Sequence, residues 1–219
     1  MKPFVLCFSG RKGAGKDTIG QFVAHYLNEK YLVNSQKIVK YSFADPLKAF
    51  CIEVLGLDEM QCYGTDSDKN TLTKYAWDHI PKWIKDTEHF AKKTGLMTAR
   101  DVMQVFGTEC VRNFFGNIWA EAVLRKIKNN PDIVLAIVPD TRFPNEVHTM
   151  LEYPFSYIVR LTRAPYKNDE HESETALDNF NWSQYDRCSV FDNTKLSITE
   201  QEKTIVPLID TLYKTFGEL

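Results

Sequence analysis

The sequence has no long apolar run, no closely spaced cysteine pair and no excess of either charge. No stretch approaches the roughly 18–20 apolar residues that a membrane-spanning helix needs. The run Phe4-Val5-Leu6-Cys7-Phe8 stops at Gly10 and Arg11, which is also too short for a signal peptide. The five cysteines (Cys7, Cys51, Cys62, Cys110 and Cys188) are scattered singly, without a CxxC pair or a nearby histidine. That spacing excludes a standard structural zinc site and fits a reducing, cytoplasmic setting. Glycine and proline number only 10 and 9 in 219 residues, and no repeat or low-complexity tract occurs. Neither a fibrous nor a largely disordered chain is expected. Lys plus Arg total 27 against 29 Asp plus Glu, a formal net charge of −2. The basic excess of a protein that grips nucleic acid through its phosphates is missing. The composition leaves a single cytoplasmic domain, without nucleic-acid or membrane partners, acting on something small.

What is present is an alternation of apolar strands and amphipathic helices. Residues 3–9 read as a buried strand. Ile19, Phe22, Val23, Tyr26 and Leu27 then recur at helical spacing on one face. Further strands are expected at 37–44, 132–139, 157–161 and 189–191. A helix over 98–110 opens on the capping box Thr98-Ala-Arg-Asp101. Another helix is expected at 117–128. The last one carries Ile205, Leu208, Ile209, Leu212 and Phe216, with Pro207 marking a kink or a late start. Residues 65–95 lack a steady period and read as an irregular arm rather than core. Continuous apolar strands separated by helices indicate an α/β fold with a parallel sheet covered on both faces.

One motif carries chemistry. Gly10, Lys12, Gly13, Ala14, Gly15, Lys16, Asp17 and Thr18 lie in a GxxxxGK segment between the first strand and the first helix, the context a Walker A phosphate loop requires. Its backbone N–H groups and the helix N-terminus would cradle phosphate, and Lys16 would bridge the β- and γ-phosphates of a nucleotide. Asp17 stands where the loop usually has a Ser or Thr ligand for Mg²⁺. It is expected to serve the metal, directly or through water, with Thr18 left for an α-phosphate oxygen. Asp140, ending the strand that contains Val138-Pro139, resembles the carboxylate of a Walker B element and is the second metal candidate; Arg142 follows it.

Six segments in order resemble the bacteriophage deoxynucleoside monophosphate kinases: GRKGAGKDT from Gly10, FADPLK from Phe43, MTARDVMQVFGTECVR from Met97, VPDTRFPNE from Val138, HESE from His171 and FDNTKLSITE from Phe191. The resemblance implies the nucleoside monophosphate kinase fold: a three-layer P-loop domain with a central parallel sheet, a monophosphate-binding arm and a mobile lid. The expected division is a core of residues 1–45 and 130–219, an inserted arm over 46–129 and a lid over 162–181. The implied reaction is transfer of the γ-phosphoryl group of ATP, with Mg²⁺, to a deoxynucleoside monophosphate. The GKD variant of the loop also occurs in that family. A homodimer is left open.

Phosphoryl transfer needs two anionic substrates in line and cations around the transferred group. Lys16 and Arg142 are the expected catalytic cations. Arg163, just past a strand end, is preferred over Arg160 as the lid arginine. Arg100 and Gln104 share a helix face at the capped end and are candidates for holding the acceptor. Lys48, Thr108 and Arg112 rank behind them. Phe43, Trp119 and Tyr41 are candidate stacking platforms or core residues, and Asp45 either accepts from ribose or base or simply makes a turn. Asn193 either helps hold adenine or forms a turn. His171, with Glu172 and Glu174, matches no zinc spacing and is expected to cap the lid.

Overall fold

A computed structural model describes residues 2–31, 37–86, 90–166 and 172–216. In chain order the strands are β1 (Phe4–Ser9), β2 (Lys37–Lys40), β3 (Leu72–Ala76), β4 (Leu96–Thr98), β5 (Ile133–Thr141), β6 (Ser156–Leu161) and β7 (Cys188–Phe191). The helices are α1 (Lys16–Tyr31), α2 (Asp45–Glu53), α3 (Glu59–Tyr63), α4 (Asp66–Lys69), α5 (Lys82–Lys85), α6 (Ala99–Gln104), α7 (Ile118–Lys128), α8 (Pro144–Leu151), α9 (Glu172–Thr175) and α10 (Ile198–Phe216). They form two compact units, one of residues 1–43 and 120–219, the other of residues 44–119. Among the described residues no helix is long and apolar enough to cross a membrane.

The first unit is built on a five-stranded sheet of order β2-β5-β1-β6-β7, all parallel. Strand alternation sends side chains to two cores. Phe4, Leu6 and Phe8 of β1 and Leu135 and Ile137 of β5 pack against Ile19, Val23 and Leu27 of α1 and Ile205, Ile209 and Leu212 of α10. Val5, Cys7, Ala136 and Val138 face the opposite way, onto Val123 and Ile127 of α7 and Val147 and Met150 of α8. Each Val, Leu, Ile, Phe or Met among them contributes on the order of 1.5–3 kcal/mol on burial. The result is the expected α/β layering, with helices on both faces of a parallel sheet. Asp210 ties α10 to α1 by accepting from Tyr26 Oη at 2.9 Å, Lys30 Nζ at 2.6 Å and Tyr31 Oη at 3.1 Å. Pro207 lies inside α10, which starts nine residues before it and continues past it, so it marks no late start.

Two expected strands have different lengths. β2 ends at Lys40 instead of Ala44, because Ser42 and Phe43 leave the ladder to bind the Asp140 carboxylate. β5 runs on through Thr141, one residue past Asp140.

The second unit corrects the reading of residues 65–95 as an arm without core. Strands β3 and β4 pair antiparallel there, and Trp77, Ile84 and Phe90 are buried with Met97, Val102 and Val105. Elements of three to five residues are too short to show a period, which is why the sequence reads as irregular. The capping box is formed as expected. Thr98 Oγ1 accepts the Asp101 N–H at 3.1 Å, and Asp101 Oδ2 accepts the Thr98 N–H at 3.0 Å. The helix it opens is α-helical only to Gln104. Val105–Arg112 is wound as a π-helix, with one more residue in each hydrogen-bonded ring.

Candidate active site

The loop of residues 10–15 leaves β1, the central strand, and enters α1. This is the carboxyl edge of a parallel sheet whose strand order diverges on either side of β1, the crevice where open α/β folds place ligands. Gly13 has φ +73° and Gly15 φ +93°, in the left-handed region that glycine tolerates best. Lys16, the first residue of α1, is 6% exposed. Its Nζ folds back over the loop and donates to the carbonyls of Gly10 at 2.6 Å and Arg11 at 2.9 Å. Burial, then the Arg142 guanidinium, pushes its pKa down to about 8, against the opposing pull of Glu174 and Asp17. A buried ammonium held near arginines is ready for an anion.

Several other cations stand around the loop. Arg142 is ion-paired with Glu174, and Glu146 Oε2 accepts the backbone N–H groups of Arg142 at 2.8 Å and Phe143 at 3.1 Å. Arg160 donates to Ser9 Oγ and to Asp178, each at 3.1 Å, and Arg11 pairs with the same Asp178. Arg163 donates its backbone N–H to Asn193 Oδ1 at 2.9 Å and its guanidinium to the carbonyls of Asn193 and Leu196. Two cavities adjoin these groups. One, of about 470 Å³, is lined by Arg11, Arg160, Thr162, Arg163 and Asp178. The other, of about 150 Å³, is lined by Gly13, Gly15, Thr18, Ile19, Arg163 and Gln201. Arg163 therefore reaches both, and Thr18 opens on the second.

The two metal candidates are placed differently from each other. The Asp17 side chain is 68% exposed and ion-paired with Lys40 Nζ at 2.5 Å. Asp140 accepts from Ser42 Oγ at 2.5 Å and from the Phe43 N–H at 3.1 Å. Among the described residues no three His, Cys, Asp or Glu side chains gather as a metal site. The donor set still fits Mg²⁺, which takes one or two carboxylates and completes its shell with water and substrate phosphates. Asn193 is fully buried, its Nδ2 donating to the Ala14 carbonyl at 2.8 Å.

In the second unit, Arg100 forks onto Asn70 Oδ1 at 3.1 Å and Asp66 Oδ1 at 2.7 Å, and Gln104 closes the same short helix. Thr108 and Arg112 fall in the π-helical segment, so they do not continue that face at ordinary helical spacing. Lys48 Nζ lies 4.4 Å from the centre of the Tyr63 ring, and burial and the Asp45 carboxylate beside it push the Tyr63 hydroxyl pKa up. Trp119 is buried with Nε1 donating to the Gly107 carbonyl at 3.0 Å. In the first unit Phe43 and Tyr41 belong to the core beneath β5. His171 lies outside the described residues. All five cysteines are free, and burial pushes their thiols up, so no activated thiolate stands among the described residues.

Of the carboxylates that hold the arginines, sequence reasoning missed Glu146 and Asp178 and named Glu174 only beside His171. Glu174 lay in a quoted segment, but its partners are distant in the chain. Asp178 sits in a polar stretch with no local signal.

No family model matches the chain. A protein of Acanthamoeba polyphaga mimivirus, provisionally named deoxynucleotide monophosphate kinase, is 28% identical over 184 residues, covering 77% of this chain and 79% of that one. The deoxynucleoside-5′-monophosphate kinase of Escherichia phage T5 is 24% identical over 212 residues, covering 77% and 82%. The chain is similar to viral deoxynucleoside monophosphate kinases. This is the family its ordered segments resemble. Among solved structures, a thymidylate kinase from Ehrlichia chaffeensis aligns over 96% of this chain and all of that one, at TM-score 0.42 and 11% identity. A shikimate kinase from Acinetobacter baumannii aligns over 98% and 80%, at 0.33 and 12%. Likenesses at those scores carry no weight for fold or chemistry.

Proposed function

We propose that the protein is an enzyme that transfers the γ-phosphoryl group of ATP to a deoxynucleoside 5′-monophosphate, giving a diphosphate and ADP for DNA synthesis. The observation that carries this reading is the buried Lys16 ammonium in a phosphate loop at the central strand, with Arg142 close enough to depress it. Similarity to the viral kinases over most of the chain supplies the acceptor class.

In this reading the loop N–H groups hold the donor phosphates, and Lys16 and Arg142 take up the charge of the transferring group. Arg163 orients the donor from the cavity beside Gly13 and Gly15. Asp17 and Asp140 hold Mg²⁺, which when bound neutralises charge on the donor phosphates. Arg100, Gln104, Lys48 and Asp45 hold the monophosphate acceptor, with Thr108 and Arg112 in support. The deciding experiment is coupled ADP release with ATP, Mg²⁺ and each common deoxy- and ribonucleoside monophosphate in turn. Turnover with at least one deoxynucleotide is expected. ADP release with none would leave a kinase of another small metabolite or an ATP-binding accessory protein.

A further inference from the structure

Glu174 lies far from the phosphate loop in sequence and against it in space. Its side chain is 7% exposed. Oε2 accepts the backbone N–H of Lys12, a loop residue, and Oε1 takes the guanidinium of Arg142. Its charge also acts on the Lys16 ammonium. A loop N–H, an arginine and the loop lysine are the donors such a site offers to the end of a nucleotide's phosphate chain. Carboxylate and phosphoryl oxygens accept the same charge-assisted hydrogen bonds. The neighbouring carboxylates are placed otherwise: Asp17 on Lys40, Asp140 on Ser42 and Phe43, Asp178 on Arg11 and Arg160.

We propose that the Glu174 carboxylate is an internal stand-in for the donor's terminal phosphate, and that a nucleoside triphosphate displaces it on binding. The inference rests on the phosphotransferase reading above and assigns a regulation to the same site. The stand-in has a physical rationale. Without an anion, the buried Lys16 ammonium and the half-buried Arg142 guanidinium would be left uncompensated, which is costly. With it, these cations are held together by a group that must let go before the third phosphoryl group can enter. The apparent affinity for a triphosphate is reduced by that competition. A diphosphate, lacking the third group, competes with Glu174 far less. Donor binding is thereby coupled to movement of α9.

The test is calorimetric titration of the wild-type protein and Glu174→Gln with adenylyl imidodiphosphate and with ADP, both with Mg²⁺. Glutamine keeps the shape and removes the charge. The expected result is triphosphate-analogue binding tightened about ten-fold, equal to about 1.4 kcal/mol, with ADP affinity changed less than two-fold. Equal or weaker binding of the analogue by the variant, or the same gain for both nucleotides, overturns the proposal. Glu174→Asp withdraws the carboxylate by one methylene and should show a smaller gain in the same direction; if only this variant folds, no gain overturns the proposal. On the wild-type protein, amide exchange across residues 172–178 should be faster with the analogue than with ADP, and equal rates count against displacement. Failure of the wild type to bind either nucleotide sinks the phosphotransferase reading itself. Binding of both without a gain in either variant sinks the stand-in alone.

Discussion

Asn193 donates its side-chain amide to the carbonyl of Ala14, 179 residues earlier in the chain. The same side chain accepts the Arg163 N–H, and the Gln201 amide lies 2.8 Å from its Nδ2. One buried amide therefore fixes the loop after β7, the phosphate loop and the strand-end arginine together. Its hydrogen-bonding groups are engaged by protein, and we propose that it positions the loop. Asn193→Ala leaves the Ala14 carbonyl and the Arg163 N–H without their partner, and such orphaned groups cost about 1–3 kcal/mol each. The variant should melt several degrees lower and show a raised KM for ATP. Unchanged melting and unchanged KM would remove the positioning role.

Lys16 supplies a pH test. Its folded-state pKa of about 8 lies below the ordinary lysine value of 10.5. Between those values the unfolded chain binds more protons than the folded one, so this group's contribution to stability rises with pH. Below pH 8 the full cost of the buried charge is present; above 10.5 it is gone. Comparison of wild type with Lys16→Met cancels the other titrations. From pH 7 to 10.5 the stability difference should shift toward wild type by about 2–3 kcal/mol, measured by chemical denaturation. Lys16→Met should also lose nearly all turnover. A pH-independent difference would mean the ammonium is not strained.

The phosphate loop was legible because its chemistry needs consecutive residues: Gly10, Gly13, Gly15 and Lys16 form one local pattern between a strand and a helix. The two-sided sheet was legible for a related reason, since continuous apolar runs such as Val134 to Val138 mark buried parallel strands. Glu174 and Asp178 were not, because they reach residues 162 to 167 positions away, and no local period records such a pairing. The core of the second unit was missed for a different reason. Trp77 follows the five-residue β3 and Ile84 lies in the four-residue α5, elements too short to repeat, while Phe90 lies in a turn before β4. The π-helical turn after Gln104 leaves no trace in composition, so the sequence could not show how Thr108 and Arg112 are set relative to Arg100 and Gln104.

Asp178 stands between two guanidiniums, Arg11 and Arg160. The Arg11 hydrogen bond first, then the Arg11 and Arg160 charges, hold its carboxyl below the usual range against an opposing effect of burial. Its stabilising contribution is present above the unfolded pKa near 4 and is lost as pH falls through the lower folded value. Asp178→Ala removes the shared anion and leaves like charges facing each other. It should destabilise the protein at low salt by about 1–3 kcal/mol, and 0.5 M NaCl should recover part of the loss by screening. A salt-independent loss would point to packing instead of charge.

Gly13→Ala tests how closely the chain after β6 approaches the loop. An added Cβ would stand 2.6 Å from Pro165 Cγ and 2.9 Å from Tyr166 Cε2, and φ +73° costs a non-glycine residue about 1–2 kcal/mol. Both effects act on the loop between β1 and α1, which in the proposed function holds the donor phosphates. The variant should melt lower and bind ATP at least several-fold more weakly. Wild-type affinity would show that residues 165 and 166 yield freely.

Asp17 and Lys40 separate a metal role from an ion pair. Their pair is exposed, and such pairs contribute about 0–1 kcal/mol. Lys40→Ala and Asp17→Ala should therefore melt within a few degrees of wild type. If Asp17 serves Mg²⁺, only Asp17→Ala raises the Mg²⁺ concentration giving half-maximal ADP release, and excess Mg²⁺ restores part of the rate. An equal response of the two variants would reduce Asp17 to the partner of Lys40. Unchanged Mg²⁺ dependence in Asp17→Ala would leave the metal to Asp140 and the substrate phosphates.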